Sequence, residues 1–530
     1  CGKLELQISA LSSAVDYRIG HNAYVHAGLA VSSGTGKFGS GVGGHGAVQQ
    51  LDAVEVGGVG DAVDLVLELG DLLLELGTVS SILKGAVGGL LGQLVHAVEH
   101  VVDLGQGALG GLHQGDAVLG VVLGLVQAGD LGAHTWFSHK VKSSGISDQK
   151  SSGRCWLFTG TNVIRAQVMA RTGMKNFFFS QAYNFFYDQL EKSNLFLQGI
   201  IDTRKKPIDD KMVEWLFRNP LSDGGQFTGV SDLIEKYGLV PKEVMAETYS
   251  SDNTNEFSAL LKRKLREDGM LLREASEKGT SEKELEQQKV DMMKTVYRML
   301  VYAYGEPPAS FTWAPKIDGK YTEKPKTYTP QSFYKEVCGG EDLNANYVML
   351  MNDPSRPFNQ VYEIDYDRHT YDGHNWLYIN LPIEDIKEMA IASLKDSTMM
   401  YFSCDVGKFL DSKKGTLDLN NYDYGSLFGT TFGMNKKQRI QSFDSGSTHA
   451  MTLMAVDLDD NGKPKKWMVE NSWGKDAGYQ GHLIMTDEWF DEYMFRVVVN
   501  KKYCPQNVLD MLKQKPVRLP AWDPMFQNEQ

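Results

Sequence analysis

Cysteine is scarce in this chain of 530 residues. The cysteines are Cys1, Cys155, Cys338, Cys404 and Cys504. They are odd in number and widely scattered, and no two stand at metal-ligand spacing, so the sequence excludes a disulfide framework and a cysteine-based metal site. We expect a reducing compartment, and therefore a cytoplasmic protein, with no metal and no cofactor.

Long apolar runs and an excess of basic charge are also missing. A helix that spans a membrane needs roughly 18 apolar residues, and the longest candidate, Ala117 to Ala128, is shorter and is interrupted by glycine. We therefore expect no membrane partner. The formal net charge is -13, which disfavours general nucleic-acid binding because nothing offsets the repulsion by phosphate groups. A local basic patch stays open.

The first 139 residues lack proline and methionine, and no aromatic residue stands between Phe38 and Trp136. They hold 28 of the 54 glycines, and 4 basic residues against 13 acidic ones. Recurrent glycine destabilises helices, and aromatic side chains dominate the packing of dense cores. We predict that residues 1–139 are an anomalous Gly/Val/Leu-rich segment, disordered or non-native, such as a translation of the complementary DNA strand. The alternatives are a poorly ordered natural extension or an inhibitory propeptide.

Residues 140–530 read as an enzyme with helices first and strands later, which predicts an α+β fold. Cys155–Thr172 has the spacing of a helix with one buried face. Further helices are expected in 177–197 and 256–304, a loop in 307–330, and strands in 399–402, 449–456 and 467–470.

A nucleophile is indicated by the run Gln149-Lys-Ser-Ser-Gly-Arg-Cys155-Trp156. A cysteine that opens a helix gains from the helix dipole, which stabilises the reactive thiolate. Gly153 permits a close turn before it. Gln149 can place a side-chain N–H beside the oxyanion that forms during acyl transfer. A cysteine alone is more often a small buried apolar group, so the prediction depends on the whole cluster.

A thiolate of this kind needs a histidine, and His449 stands at the head of an apolar strand. The next predicted strand leads into Asn471-Ser472-Trp473. Asn471 can accept a hydrogen bond from the imidazole and fix its tautomer, and Trp473 can shield that bond from water. The other histidines beyond residue 140 are His369 and His374, which we expect to be exposed, and His482, which is a weak candidate.

These motifs resemble those of the papain-like cysteine peptidases in their order and in their local sequence. The separation of Cys155 and His449, nearly 300 residues, implies large insertions. More specifically, residues 145–525 resemble the bleomycin hydrolase branch. The stretches that carry this resemblance are Asp223-Gly-Gly-Gln226, Ile234-Glu-Lys-Tyr-Gly238, Cys404-Asp-Val-Gly-Lys408, Thr486-Asp-Glu-Trp-Phe490 and Leu519-Pro-Ala-Trp-Asp-Pro-Met525.

The resemblance implies a papain-like fold, in which a helical domain and a β-rich domain flank a cleft. It places the peptidase domain at 140–530, an insertion at 240–345 and a C-terminal arm at 515–530. It makes Cys155, His449, Asn471 and Gln149 catalytic. Gly224, Gly225 and Trp473 would bind the substrate; a plain turn is the alternative for the two glycines.

The resemblance further implies a homohexamer that removes N-terminal residues from peptides and hydrolyses the β-aminoalanine amide of bleomycin. The arm would lie in the cleft and restrict it to free N-termini. Two departures bear on this: Asp148 replaces the usual Asn, and the tail Phe526-Gln-Asn-Glu-Gln530 replaces a small apolar end. An endopeptidase with an unblocked cleft and an oligomeric nucleic-acid-binding shell remain the alternative functions.

Overall fold

A computed structural model describes residues 135–143 and 145–524, together with two short strands nearer the N-terminus. These are β1 (Asp16–Ile19) and β2 (Ala23–His26), which pair antiparallel. The predictions for the rest of 1–134 and for the tail 525–530 lie outside the described residues. The chain divides into two compact units, residues 1–122 with 425–430 and residues 123–424 with 431–530. The following concerns the second unit.

The first half of this unit is mainly helical, as the pattern predicts. Its helices are α1 (Cys155–Thr172), α2 (Gln181–Asp202), α3 (Lys211–Arg218), α4 (Phe227–Tyr237), α5 (Tyr249–Asp252), α6 (Thr254–Glu277), α7 (Glu282–Tyr304), α8 (Pro330–Glu336) and α9 (Leu343–Asn346). Side-chain caps set several boundaries. Ser180 accepts from the Tyr183 N–H, and Ser281 and Glu284 form a reciprocal capping box. The helix predicted in 177–197 therefore begins at Gln181.

The second half builds a sheet of twelve strands. These are β3 (His139–Lys140), β8 (Tyr347–Met351), β9 (Gln360–Ile364), β10 (Leu377–Asn380), β11 (Met400–Cys404), β12 (Leu410–Asp411), β13 (Thr416–Leu417), β14 (His449–Leu458), β15 (Pro464–Glu470), β16 (His482–Thr486), β17 (Met494–Asn500) and β18 (Val517–Leu519). They run in the order β12-β13-β16-β15-β14-β11-β17-β8-β10-β9-β18, and β3 pairs with β14. The α+β prediction is confirmed, as are the three predicted strands.

The remaining described α-helices come between and after these strands in the sequence. They are α10 (Ile383–Lys395), α11 (Tyr424–Phe428), α12 (Lys436–Gln441), α13 (Asp487–Tyr493) and α14 (Gln506–Met511). None of the described helices is long and apolar enough to cross a membrane.

Helix α1 is buried on nearly all sides, not along one face as its spacing suggested. Side chains from Trp156 to Val168 are mostly inaccessible to solvent. The helix packs on α4 on one side and on β14 on the other. Gly160 allows the close approach of α4, because a Cβ atom there would lie 2.6 Å from the Val230 methyl carbons. The helix that begins at Cys155 therefore lies at the centre of the unit.

The loop predicted in 307–330 contains two small antiparallel pairs instead. Strand β4 (Phe311–Trp313) pairs with β7 (Lys326–Tyr328), and β5 (Lys316–Ile317) pairs with β6 (Lys320–Tyr321). The Pro-rich composition hid the hairpins, because the strands are only two or three residues long. Trp313 and Tyr328 are buried, so the outer pair closes over the helical core.

Candidate active site

Cys155 is the first residue of the central helix α1. Arg154 stands immediately before it, fully buried, and donates to the Glu247 carboxylate over 2.7 Å and to Ser152 Oγ over 3.0 Å. The turn that precedes the helix is therefore held by a buried guanidinium. A helix N-terminus favours a thiolate at this position.

His449 opens strand β14 and is buried. Its Nε2 lies 2.8 Å from Asn471 Oδ1, which leaves Nδ1 as the nitrogen that would serve a thiol. The Trp473 ring lies over the imidazole, with ring centroids 4.8 Å apart. Burial lowers the pKa of His449 to about 4, against a smaller opposing effect of the Asn471 bond. An isolated imidazole here is neutral at neutral pH, and its protonated form needs a compensating negative charge.

The sheet brings His449 close to Cys155, the predicted nucleophile. His449 pairs across the ladder with Cys404 in β11, and the Cys404 thiol interacts electrostatically with Cys155. Helix α1 packs on β14, where Thr452 Oγ1 approaches the Thr159 carbonyl at 3.5 Å. Cys155 and His449, nearly 300 residues apart in sequence, thus lie in the same part of the fold.

Gln149 is tied to the asparagine loop at both its backbone and its side chain. Its N–H donates to the Ser472 carbonyl over 2.8 Å, and its Oε1 accepts from Ser472 Oγ over 2.7 Å. Its Nε2 donates to the Ser152 carbonyl over 2.5 Å. The amide is therefore fixed with its NH2 group toward the Cys155 turn, where it can also donate to an oxyanion.

The loop that contains Gly224 and Gly225 lies beside Cys155, because it contacts the neighbouring Trp156 side chain. The Trp156 Nε1–H donates to the carbonyl of Asp223 over 2.8 Å, and a Cβ atom on Gly225 would approach the indole at 3.0 Å and overlap the His369 ring. The loop 222–225 is thus packed directly against the start of α1. Both glycines also line a cavity of about 300 Å³.

His369 is buried, so the prediction that it is exposed is wrong. Its ring packs edge-on against Trp156, with centroids 4.6 Å apart, and Nδ1 lies 2.5 Å from Asp188 Oδ1. Polar flanking residues suggested a surface loop. Gly225 in the preceding loop and Gly229 in α4 make room for the His369 ring, because a Cβ atom on either would overlap it. His374 is exposed, as predicted, and His482 opens β16, where its Nδ1 faces the carbonyls of Tyr479 and Gln480.

Asp223 is a further residue of the site to which the sequence motifs gave no role. Its carboxylate accepts from the Gly153 N–H over 2.7 Å and from Thr254 Oγ1 over 2.5 Å. A Cβ atom on Gly153 would overlap this carboxylate. The only signal in the sequence was its position before Gly224, which marked a loop but not its partner 70 residues away.

Metal ligands do not gather anywhere among the described residues, where no group of three or more His, Cys, Asp or Glu side chains is placed to hold an ion. Among the described residues, Cys338, Cys404 and Cys504 are free thiols and form no disulfide.

Comparison with known proteins identifies the family. The family described as Peptidase C1-like matches residues 126–526. The chain belongs to this family. It is 41% identical over 399 residues to human bleomycin hydrolase, covering 73% of this chain and 88% of that protein. It is also 39% identical to aminopeptidase C of Lactobacillus delbrueckii subsp. lactis, with 73% and 87% covered.

A solved structure supports the same assignment. The crystal structure of PepW from Lactobacillus rhamnosis HN001 superposes with a TM-score of 0.74 at 37% identity, covering 80% of this chain and 97% of that one. The chain is therefore a cysteine-type peptidase with a papain-like fold, in a branch whose members are named bleomycin hydrolases and aminopeptidases.

Proposed function

We propose that the chain is a cysteine aminopeptidase in which Cys155 is the nucleophile, His449 the general acid and base, Asn471 the group that orients the histidine, and Gln149 an oxyanion donor. The observation that carries the proposal is the 2.8 Å bond between His449 Nε2 and Asn471 Oδ1 under Trp473, on the strand beside the nucleophile helix. That bond fixes the tautomer in which Nδ1 receives a proton.

The reaction begins when the thiol proton passes to His449 Nδ1 and the thiolate of Cys155 attacks the carbonyl carbon of the scissile amide. The carbonyl oxygen becomes an oxyanion, which Gln149 Nε2 stabilises. The C–N bond breaks as the imidazolium protonates the leaving amine. Water then attacks the thioester and gives its proton to His449. The C–S bond breaks and releases the carboxylic acid and the thiolate.

The ion pair of thiolate and imidazolium allows His449 to be protonated although it is buried. Because burial lowers the pKa of the histidine to about 4, the imidazolium is stable only beside a negative charge. The thiolate of Cys155, formed at the helix N-terminus, supplies that charge. The proton transfer is therefore coupled to the creation of the nucleophile.

The substrates we propose are the N-terminal residues of peptides and the β-aminoalanine amide of bleomycin, in keeping with the names of the relatives. The described part of the C-terminal arm returns toward the helical half: β18 pairs with β9, and Trp522 lies over Lys211 Nζ at 4.6 Å. This course favours an arm that narrows the cleft and selects substrates with a free α-amine.

We also propose that the peptidase is a cytoplasmic homohexamer. Three buried or half-buried thiols without disulfides, Cys338, Cys404 and Cys504, fit a reducing compartment. Light scattering should give a mass six times the 59.0 kDa of one chain.

Cys155→Ala tests the mechanism. We expect it to abolish hydrolysis of aminoacyl-coumarin substrates and labelling by E-64-type epoxides, because it removes the nucleophile. Cys504→Ala, which removes a half-buried thiol at the end of the short turn 501–503, is the matched control and should retain both. Full activity of the Cys155→Ala protein would disprove the mechanism. Rapid cleavage of N-acetylated peptides by the unaltered chain would favour the endopeptidase alternative.

A further inference from the structure

The loop 222–225 is held from beneath by Lys192, a residue of α2 that the proposed mechanism does not use. Lys192 Nζ donates to the Ser222 carbonyl over 3.0 Å and to the Gly224 carbonyl over 2.6 Å. It also lies 3.0 Å from Asp188 Oδ2 on the same helix. A single, nearly buried ammonium group thus holds two carbonyl groups of the loop 222–225.

Asp188 anchors this ammonium group in the core. Its carboxylate is fully buried, accepts from Gln189 Nε2 over 2.9 Å and pairs with His369 Nδ1. Burial raises the pKa of Asp188, but Lys192 and His369 together bring it below its usual value. The carboxylate is therefore ionised, and the pair of charges is satisfied by hydrogen bonds on both sides, as a buried ion pair requires.

The same network reaches the residue next to the nucleophile. Lys192 Nζ lies 5.3 Å from the centre of the Trp156 ring, and the His369 ring packs edge-on against that indole. A Cβ atom on Gly225 or Gly229 would overlap the His369 ring. The histidine therefore sets how closely the glycine loop approaches the start of α1.

Gly225 is the loop residue whose backbone is left for a ligand. Its N–H and C=O make no hydrogen bond within the described residues, whereas the Gly224 carbonyl is held by Lys192. We propose that Lys192, anchored by Asp188 and His369, is a positioning residue that holds Gly225 so that its N–H and C=O pair with a peptide backbone bound in the cleft. This inference rests on the proposed function.

The space beside the loop suits this role. The cavity of about 300 Å³ is lined by Gly224, Gly225 and Lys192. Lys289 on α7 is buried to a similar degree, with a side chain 13% exposed against 11% for Lys192. Its Nζ donates to Gln198 Oε1 on α2 and lies 2.8 Å from Glu286, and it does not line the cavity. It provides a matched control of the same residue type.

Lys192→Met tests the proposal by separating nucleophile chemistry from peptide binding. Two rates are measured on the full chain: alkylation of Cys155 by iodoacetamide, which needs only the thiolate, and inactivation by a peptidyl epoxide of the E-64 type, which also needs the cleft. We expect Lys192→Met to lower the epoxide rate by about tenfold or more, the effect of losing charge-assisted hydrogen bonds. KM for a peptide substrate should rise with kcat less affected. Lys289→Met should change neither rate by more than about twofold.

Rescue variants distinguish positioning from a general loss of structure. Lys192→Arg should restore part of the epoxide rate, because it keeps a cation that can donate to both carbonyls. Asp188→Asn with Lys192→Met removes both charges, folds without a buried unpaired carboxylate, and should show the same selective loss. Equal losses in alkylation and in epoxide inactivation, or a Lys192→Met protein that matches Lys289→Met, would overturn the proposal. A native chain in which iodoacetamide does not modify Cys155 would instead contradict the proposed function.

Discussion

The proposed active site has two sides, a nucleophile side around Cys155 and a histidine side around His449, which are built by different means. On the nucleophile side, charged groups hold the loops: Asp223 binds the Gly153 N–H, and Arg154 is paired with Glu247. On the histidine side, the partners of His449 are a neutral amide and an indole, within a strand that is buried almost throughout. Charged side chains thus hold the loops on the nucleophile side, which have no regular structure. On the histidine side, the backbone is held by the buried sheet.

The difference also separates two electrostatic tasks. The nucleophile side supplies a helix N-terminus, which favours a thiolate. The histidine side disfavours charge, because burial lowers the pKa of His449 to about 4. In the proposed mechanism, a proton on the histidine is therefore stable mainly while the thiolate exists, so the two sides act as one unit.

Arg165 and Glu470 connect the two sides, and breaking this pair should have the largest effect on stability. Arg165 lies on α1 and donates to Glu470 at the end of β15, and both side chains are almost fully buried. Arg165→Met leaves an unpaired buried carboxylate, so we expect a loss of about 3–5 kcal/mol in the free energy of unfolding. Urea denaturation followed by tryptophan fluorescence measures it.

Arg218→Met is the control for that prediction. Arg218 pairs with Glu214 on the exposed surface of α3, where we expect less than about 1 kcal/mol. Adding Glu470→Gln to Arg165→Met should recover part of the loss, because the buried charge is then removed. Strict additivity of the two substitutions would show that the pair does not join the two sides.

We expect Gln149 to contribute to the rate of acyl transfer and not to the reactivity of the Cys155 thiol. We expect Gln149→Ala to lower kcat by about 10²–10³-fold, the usual effect of removing one oxyanion donor. Steady-state hydrolysis of an aminoacyl-coumarin substrate gives kcat. Alkylation of Cys155 by iodoacetamide should stay nearly unchanged, because that reaction forms no oxyanion.

Gln167→Ala is the matched control for the glutamine. Gln167 lies on the same helix as Cys155, but its amide donates to the Tyr347 hydroxyl over 2.9 Å. It should leave kcat within about twofold of the native value. A comparable fall in kcat for both variants would mean that Gln149 acts through the packing of α1 and not on the oxyanion.

The sequence predicted the histidine side better than the nucleophile side. His449 begins an apolar strand and Asn471 follows the next one, so the local pattern predicted their positions at the strand ends. Cys155 was equally visible at the start of its helix. The supports of the nucleophile were not, because Asp223 reaches Gly153 across 70 residues and His369 reaches Asp188 across 181.

Strands such as β8 and β17 were missed for a related reason. Both are buried at nearly every position, so they lack the alternation of apolar and polar residues that marks a half-buried strand. Strand β17 pairs with β8 and with β11, which joins segments about 90 to 150 residues apart, and no local pattern encodes such pairing. Local motifs therefore predicted the chemistry, and the long-range contacts that position the predicted residues required the fold.

The pH dependence of stability should show how strongly the histidine side excludes charge. Burial lowers the pKa of His449 from 6.5 to about 4, so between these values the unfolded chain binds a proton that the folded chain does not. The folded state therefore loses stability as the pH falls from 6.5 toward 4, by about 2 kcal/mol at pH 5. Urea denaturation of the Cys155→Ala protein at several pH values measures this without a thiolate.

Adding His449→Gln to Cys155→Ala isolates the contribution of one histidine. His369, whose pKa burial also lowers, is present in both proteins and cancels in the difference. We expect the protein that retains His449 to lose stability more steeply below pH 6.5 than the protein with glutamine. If the two curves stay parallel, His449 keeps an ordinary pKa in the folded chain. Burial would then not exclude charge from it, and the contrast between the two sides would rest on hydrogen bonding alone.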